Sequence, residues 1–308
     1  MKIAIMGAGG VGGLYGGRIA KAGEDVTLIT RGAHLKALQQ NGLRVNSAIH
    51  GDFELSTVKA TDNPASVGPV DLVLMSVKTY DLDEASRAVA PMVGEDTVVI
   101  PLLNGMDIAE RVGAVVGMDH VLGGTVYATA NIVEPGVVRH VAGDGLIFGE
   151  LEGGISARGG SIHRMFVAAG IQAELSPDVR KDIWSKFVGI AAIFGVYSVV
   201  RVPGSAVAAD PDTRALLVDS MREVVALAHK QGIDLGESVV DKFLSILDNV
   251  PPDWKPSMLV DLEQGRKLEV EAVQGTVTRL GEELGVPTPV NGFLYAALKL
   301  HADGASPS

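Results

Sequence analysis

Residues 2–31 carry a pattern that few folds accommodate. Lys2-Ile3-Ala4-Ile5-Met6 is a short apolar run, and Gly7-Ala8-Gly9-Gly10-Val11-Gly12-Gly13 follows without a break. A helical stretch extends to about Ala22, Gly23 can end it, and Val26-Thr27-Leu28-Ile29-Thr30 reads as a second strand. That is a βαβ unit with Gly-x-Gly-x-x-Gly at Gly7, Gly9 and Gly12, in the register of the dinucleotide fingerprint. Gly7 permits a tight turn, Gly9 lets the backbone approach a pyrophosphate, and Gly12 lets helix and strand pack closely. Ala8, Gly10 and Val11 complete the turn, and phosphates would sit at the helix N-terminus, where free N–H groups and the dipole favour negative charge. With 38 glycines in the chain the motif by itself could be a turn that binds nothing. The strand before it, the helix after it and the second strand on schedule single out a cofactor site.

The end of the second strand discriminates between cofactors. An Asp or Glu there bonds the ribose 2′-hydroxyl of NAD. Here the position holds Thr30 followed by Arg31, and the carboxylates Glu24 and Asp25 lie at the other end of the strand. A guanidinium suits a 2′-phosphate, which it can grip with two parallel hydrogen bonds. Against a solvated surface arginine, this reading makes the cofactor NADP(H).

At 308 residues the chain can build two domains, each with its own core. A composition of 47% apolar and 20% charged residues is that of a soluble globular protein. The formal net charge of −11 argues against general nucleic-acid binding, which needs basic surface. The absence of cysteine excludes disulfides and thiolate metal sites, and no other metal-binding pattern is found. The N-terminal apolar run, broken at Gly7, is too short for a signal-peptide core. No stretch is expected to supply the ~20 apolar residues that span a bilayer. The cytoplasm is the expected compartment.

Further along, residues 34–40 suggest a short helix and residues 43–58 one or two strands. The near-continuous apolar run of residues 70–77 ends at Lys78, and residues 97–102 form another that ends at Leu103-Asn104-Gly105-Met106, with a helix over about 82–92 between them. Ligands collect at the carboxyl ends of such strands, so the turn at residues 7–12, Lys78 and Asn104 should converge. Residues 120–150 alternate and are punctuated by glycine, which reads as antiparallel strands added to the sheet edge. A helix over 158–169 and a last strand over 171–175 lead to Ser176-Pro177-Asp178, a domain boundary. Beyond it, residues 182–200, 213–231, 238–247, 256–284 and 291–300 are helical by spacing and propensity, and residues 302–308 should fray. The expected architecture is α/β: an N-terminal Rossmann-type doubly wound sheet over 1–175, followed by an all-helical, substrate-binding domain over 176–308.

Reducing a ketone requires a proton donor near the carbonyl oxygen. Lys186 lies in Trp184-Ser185-Lys186-Phe187 of an otherwise apolar helix. It either snorkels to solvent or is buried with its pKa lowered, as a general acid. Ser257 and Glu269 would be about 18 Å apart on one straight helix, at 1.5 Å per residue. Gly265 lies between them, and a break there would fold both back to one site. The alternative is a surface cap at Ser257 and a solvated Glu269.

Taken in order, Gly7-x-Gly9-x-x-Gly12, Lys78, Asn104-Gly105-Met106, Lys186, Ser257-Met258 and Glu269 resemble the ketopantoate reductase family in sequence and approximate spacing, over nearly the whole chain. Arg201-Val202-Pro203-Gly204 and Gly285-Val286-Pro287-Thr288-Pro289 look similar too. The resemblance implies NADPH-dependent reduction of a 2-oxo acid, in the type case 2-dehydropantoate to pantoate on the way to pantothenate. By that similarity Lys186 is the proton donor, and Asn104 positions it and contacts the cofactor. Glu269 bonds the substrate hydroxyl, Ser257 its carboxylate, and Arg31 and Lys78 serve NADP. A homodimer through the helical domain is a family-level expectation.

Two departures bear on the substrate. The family's best-known members carry substrate-lining asparagines one and two turns after the lysine, where this chain has Ile190 and Phe194. Gly204 replaces a third asparagine. Two alternatives to the family's usual activity follow: reduction of a more apolar 2-oxo acid, or a non-catalytic NADPH-binding sensor or interaction protein. Retention of Lys186, Asn104, Ser257 and Glu269 together favours an enzyme.

Overall fold

The computed structural model describes residues 1–304, which divide into two compact units: Met1–Leu103 with Asp107–Asp182, and Asn104–Met106 with the described residues from Ile183 onward. The first contains β1 (Lys2–Met6), α1 (Gly10–Lys21), β2 (Asp25–Ile29), α2 (Gly32–Asn41), β3 (Leu43–Ser47), β4 (Phe53–Leu55), β5 (Lys59–Thr61) and β6 (Val70–Met75). It continues with α3 (Leu82–Val89), β7 (Val93–Pro101), α4 (Ile108–Val116), β8 (Gly123–Glu134), β9 (Val137–Gly149), α5 (Ala157–Ala168) and β10 (Gln172–Leu175). Strands β5-β2-β1-β6-β7 form an all-parallel sheet, with β1 at its centre between β2 and β6. Ile3, Ala4 and Ile5 of β1 and Leu72 and Val73 of β6 are fully buried, as strands covered on both faces require.

The expectation that the strands of residues 120–150 extend this sheet is overturned. Strands β8 and β9 form a long hairpin in a second sheet. The free edge of β9 is shared, pairing parallel to β3 through Val137–His140 and to β10 through Gly145–Phe148. Helix α1 is what both sheets pack on. A Cβ at Gly12 or Gly16 would meet Ile5 of the first sheet within 3.0 Å. One at Gly13 or Gly17 would meet Val138 or Leu43 of the second at 2.8 Å. The glycine-rich helix therefore lies close to two sheets at once. Helix α4 has no counterpart in the sequence reading.

Helix α6 (Val179–Val200) begins in the first unit, and the units divide after Asp182 rather than at Ser176-Pro177-Asp178. The reason is Val179, fully buried within reach of Gly123 and Gly149. The second unit is helical as expected, with α7 (Ala206–Ala209), α8 (Pro211–Lys230), α9 (Val239–Asp248), α10 (Ser257–Glu263), α11 (Thr276–Leu284) and α12 (Pro289–Leu298). Its core includes Phe187, Val188, Tyr197, Leu217, Val224, Leu259 and Val273. Contrary to the sequence reading, α6 is long and apolar enough to cross a membrane by length and composition alone. Most of its apolar stretch, 61%, is buried inside the protein. The helix expected over 256–284 is broken: α10 ends at Glu263, Gly265 takes φ +62°, and a π-helical turn, Glu271–Gly275, precedes α11. Fraying from Ala302 is not observed at once, because its carbonyl accepts from the Leu268 N–H at 2.8 Å. Residues 305–308 lie outside the described residues.

Candidate active site

The first unit carries the cofactor-binding candidates. β1 ends at Met6, and Gly7 turns the chain with φ +91°. The Gly7 and Ala8 N–H groups both donate to the Ile29 carbonyl at the end of β2, and Ser76 Oγ donates to the Gly7 carbonyl at 2.9 Å. The turn is thus pinned from both neighbouring strands before any ligand arrives. A Cβ at Gly12 would meet Ser76 Oγ at 2.3 Å and the Gly7 carbonyl at 2.4 Å, so this glycine serves close packing as expected. A Cβ at Gly9 would meet nothing nearer than 3.9 Å, which leaves that face of the turn open to a phosphate group. Gly10 has a different reason for being glycine: its Cβ would lie 2.0 Å from the Ala130 carbonyl oxygen of β8. Val11 follows in the first turn of α1, whose leading N–H groups have no intrahelical acceptor and can bind an anion.

Arg31 is the N-cap of α2, two residues after β2 ends, and its side chain is 77% exposed. Its guanidinium lies 3.4 Å from the Asp81 carboxylate. An exposed pair of this kind is worth about 0–1 kcal/mol, so a phosphate dianion can displace the aspartate at little cost. Lys78 is half-buried at the N-cap of a short 3₁₀ turn that follows β6. His34, on the first turn of α2, is a residue the sequence reading passed over. It is buried, and its Nδ1 accepts from the Gly136 N–H at 3.0 Å. Burial holds its pKa down, with the Ala8 carbonyl of the glycine-rich turn opposing.

The second unit gathers the catalytic candidates. Lys186, on α6, is only 9% exposed and does not snorkel. Its Nζ donates to Asn104 Oδ1 at 3.2 Å. Asn104 belongs to the short Asn104–Met106 segment that follows β7 and packs as part of this unit, Gly105 beside it taking φ +141°. Burial pulls the Lys186 pKa from 10.5 down to about 8, against the attraction of the Glu269 carboxylate, which favours the charged ammonium. Glu269 is 5% exposed, so it is not a solvated surface glutamate. It lies two residues before the π-turn, and its carbonyl accepts from the Val273 N–H at 3.1 Å. π-Turns of this kind are frequent at functional sites.

Ser257 opens α10 and is exposed, while Met258 beside it is buried. The cap of that helix is Pro256, so Ser257 is not the surface cap its alternative reading proposed. Phe194 is 7% exposed within the apolar core and Ile190 is half-buried against it. Gly204 adopts φ +71°, and a Cβ there would meet the Pro252 carbonyl oxygen at 2.3 Å. An asparagine is therefore excluded at that position by the local backbone. Gln274 is a second residue the sequence reading missed, since a single amide within an apolar helical stretch carries no signal. It is fully buried.

Residues 3–153 match the family described as ketopantoate reductase PanE/ApbA, and residues 178–302 match its C-terminal region. The 2-dehydropantoate 2-reductase of Mesorhizobium japonicum is 32% identical over 320 residues, covering 97% of each chain. The crystal structure of 2-dehydropantoate 2-reductase from Geobacter metallireducens GS-15 superposes with a TM-score of 0.92 at 32% identity, over 97% of this chain and 99% of that one. A ternary structure of D-mandelate dehydrogenase with NADH and anilino(oxo)acetate gives a TM-score of 0.91 over 98% of each chain, at 24% identity, a likeness of fold.

Proposed function

The chain belongs to the ketopantoate reductase family, and from that premise we propose that it catalyses NADPH-dependent reduction of a 2-oxo acid to the 2-hydroxy acid. The observation that carries this reading is the buried Lys186, hydrogen-bonded to Asn104 and within the field of the buried Glu269. A general acid works best with a pKa near the operating pH, and a Lys186 pKa of about 8 supports that role. When bound, the reduced nicotinamide supplies the hydride that C2 of the substrate gains. Lys186 Nζ gives a proton to the C2 oxygen, which becomes the hydroxyl of the product. Asn104 Oδ1 accepts from the same Nζ and restricts its direction. Glu269 accepts from a substrate hydroxyl and stabilises the ammonium form of Lys186 between turnovers. Ser257 contacts the substrate carboxylate.

The open face of Gly9, the helix N-terminus beyond it and the exposed Arg31 suit the pyrophosphate and 2′-phosphate of NADPH. No carboxylate follows β2 to favour NADH. Relatives at 32% identity are 2-dehydropantoate 2-reductases, which makes 2-dehydropantoate the first substrate to test. A second reading rests on Ile190 and Phe194, which join the apolar core of the second unit. Each buried polar group of a substrate left without a partner costs about 1–3 kcal/mol, whereas each methylene buried gains ~0.8 kcal/mol. A 2-oxo acid with a branched apolar side chain gains where 2-dehydropantoate loses.

The test is kcat/KM for both substrates with NADPH and NADH, in the parent and in Ile190→Asn/Phe194→Asn. Reduction of either substrate with preference for NADPH supports the reading. Preference for 2-dehydropantoate in the parent, with no gain in the variant, removes the apolar-pocket argument. NADPH binding without turnover of any 2-oxo acid would favour the non-catalytic alternative.

A further inference from the structure

Gln274 stands out among the buried groups for which the reduction has no direct use. It lies on the π-turn that begins two residues after Glu269 and is 0% exposed, beside the fully buried Val273. Its Nε2 donates to the Ala191 carbonyl of α6 at 2.8 Å. Its Oε1 is buried and meets no hydrogen-bond partner. Ala191 lies on the same helix as Lys186, five residues on. Gly195 makes room for the amide, since a Cβ there would be 3.0 Å from Gln274 Nε2.

A half-satisfied amide in an apolar core lowers stability relative to a hydrophobic residue of the same size. Packing therefore does not account for Gln274. Its bond does tie two segments together at a defined register: the helix bearing Lys186 and the π-turn whose Val273 N–H donates to the Glu269 carbonyl. The wide bond from the Gly275 N–H to the Val270 carbonyl, 2.9 Å, spans the same turn. Buried polar contacts that fix register at a cost in stability are known in other folds.

We propose that Gln274 is a positioning residue for the reduction, its bond to the Ala191 carbonyl holding Glu269 in register with Lys186. The proposal rests on Lys186 being the acid and Glu269 its buried partner. Losing the register moves the carboxylate away from the ammonium. Lys186 then gives up its proton more readily, because Glu269 is what opposes the effect of burial.

The experiment uses Gln274→Met in the full chain, with two readouts. One is the pH dependence of kcat/KM with the 2-oxo acid that the parent reduces best. The other needs no turnover: NMR titration of the Lys186 Nζ in ¹⁵N-lysine-labelled protein bound to NADPH. The titration and the basic limb of the rate profile should both move down by about half a pH unit or more, with kcat/KM at neutral pH falling about three- to tenfold. Thermal stability should be unchanged or raised. Made in a Glu269→Gln background, Gln274→Met should shift Lys186 no further. Gln274→Asn, one methylene too short to reach Ala191, provides the same readings if the methionine variant does not fold. An unchanged Lys186 titration, or a shift that persists without the Glu269 charge, overturns the proposal. If no 2-oxo acid is reduced, the functional reading fails while the NMR titration still decides the role of Gln274.

Discussion

If Lys186 supplies the proton, the pH dependence of both directions of the reaction follows from its burial. The ammonium is the reactive form in reduction, so kcat/KM should be level at neutral pH and break downward near pH 8, the pKa that burial imposes. Each further pH unit removes a factor of about ten, so 1.5 units above the break the rate should be about thirtyfold down. In oxidation of the 2-hydroxy acid the neutral amine is needed, and the limb should invert, rising to a plateau above the same pH. An unburied lysine, at ~10.4, would leave reduction level to about pH 10. Glu269→Gln should raise KM and also move the break to lower pH, since the carboxylate is what favours the ammonium. The assay is initial-rate loss of NADPH absorbance at saturating cofactor over about pH 6–10, in buffers of matched ionic strength. A reduction profile that stays level past pH 9.5, or a break that does not move in Glu269→Gln, would refute the assignment of the acid.

Three further outcomes are expected. Lys186→Met should lower kcat by ~10²–10⁴-fold with little change in NADPH affinity. It should also alter stability. The folded pKa of Lys186 lies below its unfolded value, so between about pH 8 and 10.5 the unfolded chain binds more protons and the parent gains about 3 kcal/mol as pH rises. The variant should lack that gain in urea midpoints. Arg31→Ala should weaken NADPH binding by roughly tenfold to 150-fold without affecting NADH, whereas Asp81→Asn, which releases Arg31, should tighten NADPH by up to about fivefold. Equal NADPH and NADH affinities in the parent would remove this basis for the preference. Gly10→Ala should cost at least about 1–3 kcal/mol in thermal or urea unfolding, because its Cβ would collide with backbone, the Ala130 carbonyl. Gly9→Ala should cost less stability and act instead on cofactor affinity, and equal losses from both would contradict the division of roles.

Much of the first unit was legible because its signals are local. A strand, a glycine turn and a helix in succession occupy about twenty residues, and the residues just after β2 are placed by chain order alone, so the fingerprint and the position of Arg31 could be read directly. The break between Ser257 and Glu269 was legible for the same reason, since Gly265 takes the left-handed conformation its neighbours disfavour. Contacts between distant segments were not. The sequence shows Gly7, Gly9, Gly10, Gly12 and Gly13 as one motif, but their reasons separate only once β6, β8 and β9 have packed around α1. The hairpin of β8 and β9 could join either sheet by its alternating pattern, and pairing with β3, some ninety residues earlier, settled the matter. Lys186 had two readings, snorkelling or buried, because a helix sequence does not say which neighbours cover it. Its low pKa, its bond to Asn104 and the nearby Glu269 charge come from segments about eighty residues away on either side. Propensity and turn chemistry act within a few residues, whereas desolvation and close packing depend on what the rest of the chain brings alongside.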